Sequence, residues 1–194
     1  FAKRGFLLGL VWGITFFMGT IYWVVNSMAN YGGVPIVTSI VILILLALYL
    51  SLFPALFGLA ISSILSPFAI SLLFRIVFVS SLWVAIEYIR TNMITVGFPW
   101  VLLGYSQSSF LPLIQIADIT GVYGISLLIM MVNMFIFSVL SYWLRRKVVE
   151  IPAKGISTAY IHRLPIKEGL LVFIILISVL VYGFIRIYQT DEVS

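Results

Sequence analysis

The sequence predicts an all-α fold: a polytopic membrane helical bundle of about five transmembrane helices with an apolar interfacial loop on its outer face. Three observations carry that expectation. Of the 194 residues, 63% are hydrophobic and only 9% charged, too few charges to cover a water-soluble domain of this length. The stretch from Gly5 to Phe74 holds no Asp, Glu, Lys or Arg, and uncharged apolar runs of that length need a bilayer. Finally, apolar blocks alternate with breaks such as NYGGVP and SSILSP, where Gly, Pro and Ser turn the backbone.

Each block approaches the roughly 20 apolar residues that a bilayer requires. The spans are drawn at Gly5–Val25, Ile36–Ile61, Phe68–Arg90, Gly121–Trp143 and Gly169–Ile187, within one membrane-embedded domain covering residues 1–194. The opening FAKRGFLLGLVWG has the basic start and apolar core of a signal peptide. Its apolar stretch runs too far and meets no small-residue cleavage site, so it reads as a true span whose upstream sequence is missing. Gly5, Gly9 and Gly13 recur every four residues on one face of that span. Such a stripe is either a close helix contact or ordinary glycine usage.

The net charge of +5 is distributed as a topology signal and not as a nucleic-acid-binding stripe. Lys3 and Arg4 precede the first span, and Arg145, Arg146, Lys147, Lys154, Arg163 and Lys167 fall in the basic connector 144–168. Five spans put both groups on one side, which is therefore expected to be cytoplasmic. The connector 91–120 is different. Asp118 is its only charged residue, and an aqueous loop would not carry Phe98, Trp100, Leu102, Leu103, Phe110, Leu111, Leu113, Ile114 and Ile116. It is expected to lie in the outer interface, with PLIQIADI as a short surface helix.

The candidate site residues cluster around that connector. Glu87 and Arg90 are three apart on a helix, so they share a face and can pair. They read either as an interfacial ion pair or as an arginine facing an anionic lipid phosphate with Glu87 holding it. Trp100 follows Pro99, which fixes its own φ and keeps Phe98 extended. It is either an interfacial belt anchor or a lipid contact. Asp118 suits the N-cap of the fourth span. Gln107 and Gln115 suit either a lipid headgroup or the loop backbone. His162, the single histidine, reads as a solvated loop residue. With no cysteine, disulfides, thiolate metal sites and a cysteine nucleophile are excluded within this chain. No GxSxG, P-loop, GxGxxG or HExxH pattern occurs, and no cofactor or metal is expected.

The blocks GFPWVLLGYSQ and LIQIADITGVYGISLLIMMVN resemble the membrane portion of bacterial apolipoprotein N-acyltransferase. So do GTIYWVVNSMANYGGVP, LLALYLSLFPALFGLA and LWVAIEYIR, in the family's order over nearly the whole chain. The resemblance implies an enzyme of lipoprotein maturation. It would move an acyl chain from a phospholipid donor to the N-terminal diacylglyceryl-cysteine of an apolipoprotein acceptor, in the bacterial inner membrane. In the family, eight membrane helices carry a nitrilase-like domain that uses a Glu-Lys-Cys triad through a thioacyl enzyme. This chain matches spans three to seven and has no match to the triad, so no catalytic residue is assigned here and the piece alone is expected to be inactive. The resemblance moves Trp100 towards lipid-substrate contact, with Glu87, Arg90, Gln107 and Asp118 as supports. The rival reading is a non-catalytic membrane scaffold or transporter fragment, in which Glu87 and Arg90 line a polar pathway.

Overall fold

A computed structural model of the chain describes residues 2–64, 71–93, 97–148 and 164–191, and every regular element among them is helical. The order is α1 (Ala2–Thr20), α2 (Trp23–Asn26) running into a π-helical turn (Ser27–Tyr31), α3 (Ile36–Ile64), α4 (Leu72–Asn92), a 3₁₀ turn (Leu103–Gln107), α5 (Leu111–Ile114), α6 (Ala117–Val148) and α7 (Ile166–Asp191). Four of these helices are long and apolar enough to cross a membrane, or five if α1 and the bent continuation Trp23–Tyr31 count as one span. The expected polytopic helical bundle is therefore what the chain forms. His162, Lys154 and Arg163 of the basic connector lie outside the described residues.

The chain divides into two compact units, Phe1–Phe68 with Ile86–Val101, and Ala69–Ala85 with Leu102–Ser194. In the first, α1 packs along α3 through small residues. A Cβ on Gly5 would strike Gly58 and Ser62, one on Gly9 would come within 2.8 Å of the Ala55 Cα, and one on Gly13 within 2.6 Å of the Pro54 Cγ. The every-fourth-residue glycines are thus a close helix contact. The buried face of α3 is correspondingly rich in small residues: Ser39, Ala47, Ser51, Pro54 and Ala55 lie inside with Leu43, Leu50 and Phe53. Its opposite face exposes Ile40, Val41, Ile44, Leu45, Leu48, Leu52 and Leu56. Small residues inward and large apolar ones outward is the arrangement that lipid solvent favours, since aliphatic side chains gain little by leaving hydrocarbon.

The first span was expected to continue to Val25 as one helix. Instead α1 stops at Thr20, and the chain resumes at Trp23 bent by 45°. The Thr20 hydroxyl donates back to the Phe16 carbonyl at 2.9 Å, a bond that loosens the helical ladder at the bend. Ile21, fully buried, anchors the corner in a core with Phe17, Leu43, Ala47 and Leu50.

In the second unit, Ile76 of α4, Met131 of α6 and Val172 of α7 form a buried cluster. PLIQIADI was expected as one surface helix, but only Leu111–Ile114 forms a turn, with Pro112 at its start. The amides of Asp118, Ile119 and Thr120 already bond to the carbonyls of Gln115 and Ile116, starting α6. The path of α6 breaks at Gly121, whose φ of 63° and ψ of −173° suit glycine almost alone.

Gly9→Leu is expected to destabilise the protein by roughly 1–3 kcal/mol or more through overpacking against the α3 backbone. Gly19→Ala, where an added Cβ meets nothing within 4 Å, should be neutral or slightly stabilising. Thermal unfolding midpoints of the purified proteins in detergent check the pair.

Candidate functional site

The end of α4 and the residues after it build a corner in the first unit. Arg90 sits in the last turn of α4 and is 3% exposed. Its Nη1 donates to the Trp100 carbonyl at 3.1 Å and its Nη2 to the Val101 carbonyl at 3.2 Å. The guanidinium also lies over the Phe17 ring, 5.5 Å from the centroid. The Arg90 carbonyl accepts from the Phe98 amide, and that of Met93 from the Gly97 amide, each at 3.0 Å, so the end of α4 is bonded to the segment that follows. Phe98 and Val101 pack against the buried cluster of Phe17, Ile21, Leu43, Ala47 and Leu50.

Val101 has φ of 59°, the only positive φ outside glycine among the described residues. For a β-branched residue this left-handed backbone costs on the order of 1–3 kcal/mol and persists only when neighbours impose it. The fork from Arg90 supplies that restraint, because its two donors fix consecutive carbonyls. The turn leaves the Trp100 ring 55% exposed, edge-on to Trp23 with centroids 5.7 Å apart. Glu87, 3% exposed, shares the buried face of α4 with Arg90, as the three-residue spacing implied.

The buried Arg90 guanidinium donates to two backbone carbonyls and so holds the turn that presents Trp100. Glu87, Arg90 and Trp100 thus come together, with Phe17, Trp23 and Val101 as neighbours that sequence reasoning missed. The positive φ at Val101 has no sequence signature, since valine is among the residues least expected there.

Gln107 and Asp118 belong to the second unit. The Gln107 amide donates to the adjacent Ser106 hydroxyl at 3.1 Å, and its backbone carbonyl accepts from the Phe110 amide at 2.9 Å. Gln115 Nε2 donates to the Leu111 carbonyl at 3.3 Å, a bond to the loop backbone. The expected N-cap role of Asp118 is replaced. Its carboxylate accepts from the Tyr182 hydroxyl at 2.7 and 2.9 Å and from Arg186 Nε at 3.1 Å. A carboxylate so engaged with α7 has turned away from its own helix start. Nearby, the Gly104 amide donates to the buried Ser126 hydroxyl at 2.9 Å, fixing the 3₁₀ turn to α6. No group of three or more metal-ligating side chains occurs among the described residues.

The family profile described as "Apolipoprotein N-acyltransferase N-terminal domain" matches residues 1–135, which include the whole Arg90–Trp100 corner. The chain belongs to the apolipoprotein N-acyltransferase family. Apolipoprotein N-acyltransferase of Geobacter metallireducens is 36% identical over 189 residues, 97% of this chain and 33% of that protein. The Shewanella oneidensis protein of the same name is 38% identical over 130 residues, 67% of this chain and 25% of its own length. The Wigglesworthia glossinidia protein is 38% identical over 126 residues, 65% of this chain and 24% of its own. The chain therefore spans a third or less of these acyltransferases.

Arg90→Lys keeps the charge but offers no planar fork. It is expected to cost roughly 1–3 kcal/mol as one carbonyl loses its partner. A thermal midpoint equal to that of the parent protein would mean that the two carbonyl bonds do not hold the turn.

Proposed function

We propose that this chain is the membrane portion of an apolipoprotein N-acyltransferase that takes an acyl chain from a phospholipid and gives it to the N-terminal diacylglyceryl-cysteine of an apolipoprotein. Its own part is to receive and position the lipid substrates. The observation that carries this reading is the corner in which a buried arginine imposes a left-handed valine and thereby projects a half-exposed tryptophan from an apolar surface. Backbone strain of this kind gathers at functional sites. A simple belt anchor needs only an interfacial position and no such support.

In the whole enzyme so proposed, a thiolate attacks the lipid ester and expels the lysophospholipid, and the amine then attacks the thioester, forming the amide and releasing the thiolate. This chain holds no cysteine, so none of its residues is that nucleophile. Both substrates keep their acyl chains in the bilayer, and the segment 91–120 is proposed as the apolar outer surface where they are met. The basic residues Lys3, Arg4, Arg145, Arg146 and Lys147 favour the cytoplasm of a bacterium for their own helix ends. The transporter alternative finds little support in α3. Its buried Ser39 and Ser51 donate to their own helix carbonyls, at Pro35 and Leu48, and line no polar path.

In the full-length enzyme at matched expression, Trp100→Ala is expected to lower kcat/KM for phospholipid roughly tenfold, with Trp100→Phe retaining most activity. Parent-like acyl transfer in both would return Trp100 to the role of an interfacial anchor.

A further inference from the structure

The second unit carries a polar cluster that the proposed lipid chemistry has not absorbed. Tyr182 and Arg186 are one turn apart on α7, and both bond to the carboxylate of Asp118. Between them lies Gly183, where an added Cβ would come within 3.0 Å of the Pro112 Cα and closer still to the Pro112 carbonyl. Three neighbouring positions of α7 therefore grip the short helix Leu111–Ile114 and the start of α6, one by backbone contact and two by charge and hydroxyl. Beside that grip, Phe110 and Leu111 stay exposed while Leu113 is buried.

The place of the cluster is informative. Arg145, Arg146 and Lys147 close α6 and Lys167 opens α7, whereas Asp118 and Arg186 stand at the other ends of the same two helices. Ionisable groups are scarce along these helices and costly at a membrane, and pairing lowers that cost. The pair is half-exposed, Arg186 at 46% and Asp118 at 36%, and pairs this open contribute little to stability. What they do provide is direction. Only a fixed α5 keeps Phe110 and Leu111 on the outside while Leu113 packs inward.

We infer that Asp118, Tyr182 and Arg186 are positioning residues that clasp the start of α6 to α7, beside the contact of Gly183 with Pro112 of α5, and so hold Phe110 and Leu111 as a platform for the acyl chains of the phospholipid donor. The inference rests on the acyltransferase reading above. A displaced platform weakens binding of donor and transition state alike, so it acts on KM and leaves kcat alone.

The test uses the full-length enzyme in mixed micelles with phospholipid as varied substrate. Asp118→Ala and Arg186→Ala should each raise KM about tenfold with kcat within about twofold. The exchange Asp118→Arg with Arg186→Asp should recover most of the loss, since it restores the pair in reverse. Tyr182→Phe, the mildest change, should raise KM about threefold and secures the test if the alanine variants do not fold. Parent-like KM in the folded variants, a loss confined to kcat, or failure of the exchange to rescue would overturn the clasp.

Hydrogen exchange of the amides at 111–120 reads the same variants without turnover. Protection should fall about threefold in Asp118→Ala, and unchanged protection also overturns the clasp. If the parent enzyme transfers no acyl chain from any phospholipid, the functional reading fails, while the exchange data still decide whether the clasp orders the segment.

Discussion

A guanidinium taken out of water must be compensated where it lands, and in this chain Arg90 is compensated by two consecutive backbone carbonyls and an aromatic face. Each charge-assisted bond contributes roughly 1.5–3 kcal/mol, against about 1–3 kcal/mol for the left-handed backbone at Val101. Both bonds are set against that strain together with the cost of desolvating the guanidinium, and they restrain the turn. From that balance follow the exposure of Trp100, the edge-on approach of Trp23 and the packing of Phe98 and Val101 onto the core around Phe17. Losing the fork would free the strained turn and leave two carbonyls to find other donors in apolar surroundings, where few exist.

The corner stands on a scaffold that obeys membrane packing rules. The glycine stripe of α1 brings that helix against the small face of α3, and the core it forms includes Phe17, the ring beneath Arg90. In hydrocarbon no water is released by burying leucine, so close backbone approach, dispersion and interhelical polar contacts are what hold helices together. The second unit follows the same logic. Gly183 against Pro112 is a backbone approach, and Asp118 with Tyr182 and Arg186 is a polar contact between helices.

Much of the fold was legible in the residues because hydrocarbon imposes a coarse requirement. A run without charge from Gly5 to Phe74 leaves few options but helices, and the Gly-Gly-Val-Pro break, with Gly33 at φ of 64°, falls where the chain turns. The site was less legible. Spacing put Glu87 and Arg90 on one buried face, but nothing in EYIR says that the arginine turns back onto carbonyls ten and eleven residues ahead. Asp118 looked like a cap because its place in sequence suited one. Its partners lie 64 and 68 residues away, beyond the reach of any local pattern.

By itself, then, the sequence determined the solvent, the helical class, the NYGGVP break, the family and the candidate residues around FPW. Those properties depend on composition and on short-range order, which hydrophobicity and backbone sterics read directly. The tertiary structure alone decided what the polar groups do. It set Arg90 against two backbone carbonyls, engaged Asp118 with α7 and allowed a positive φ at a valine. The physical reason is one of scarcity. In a chain this poor in charge Arg90 and Asp118 take the partners that folding brings within hydrogen-bond reach, and those partners are a property of the packed chain and not of the neighbouring residues.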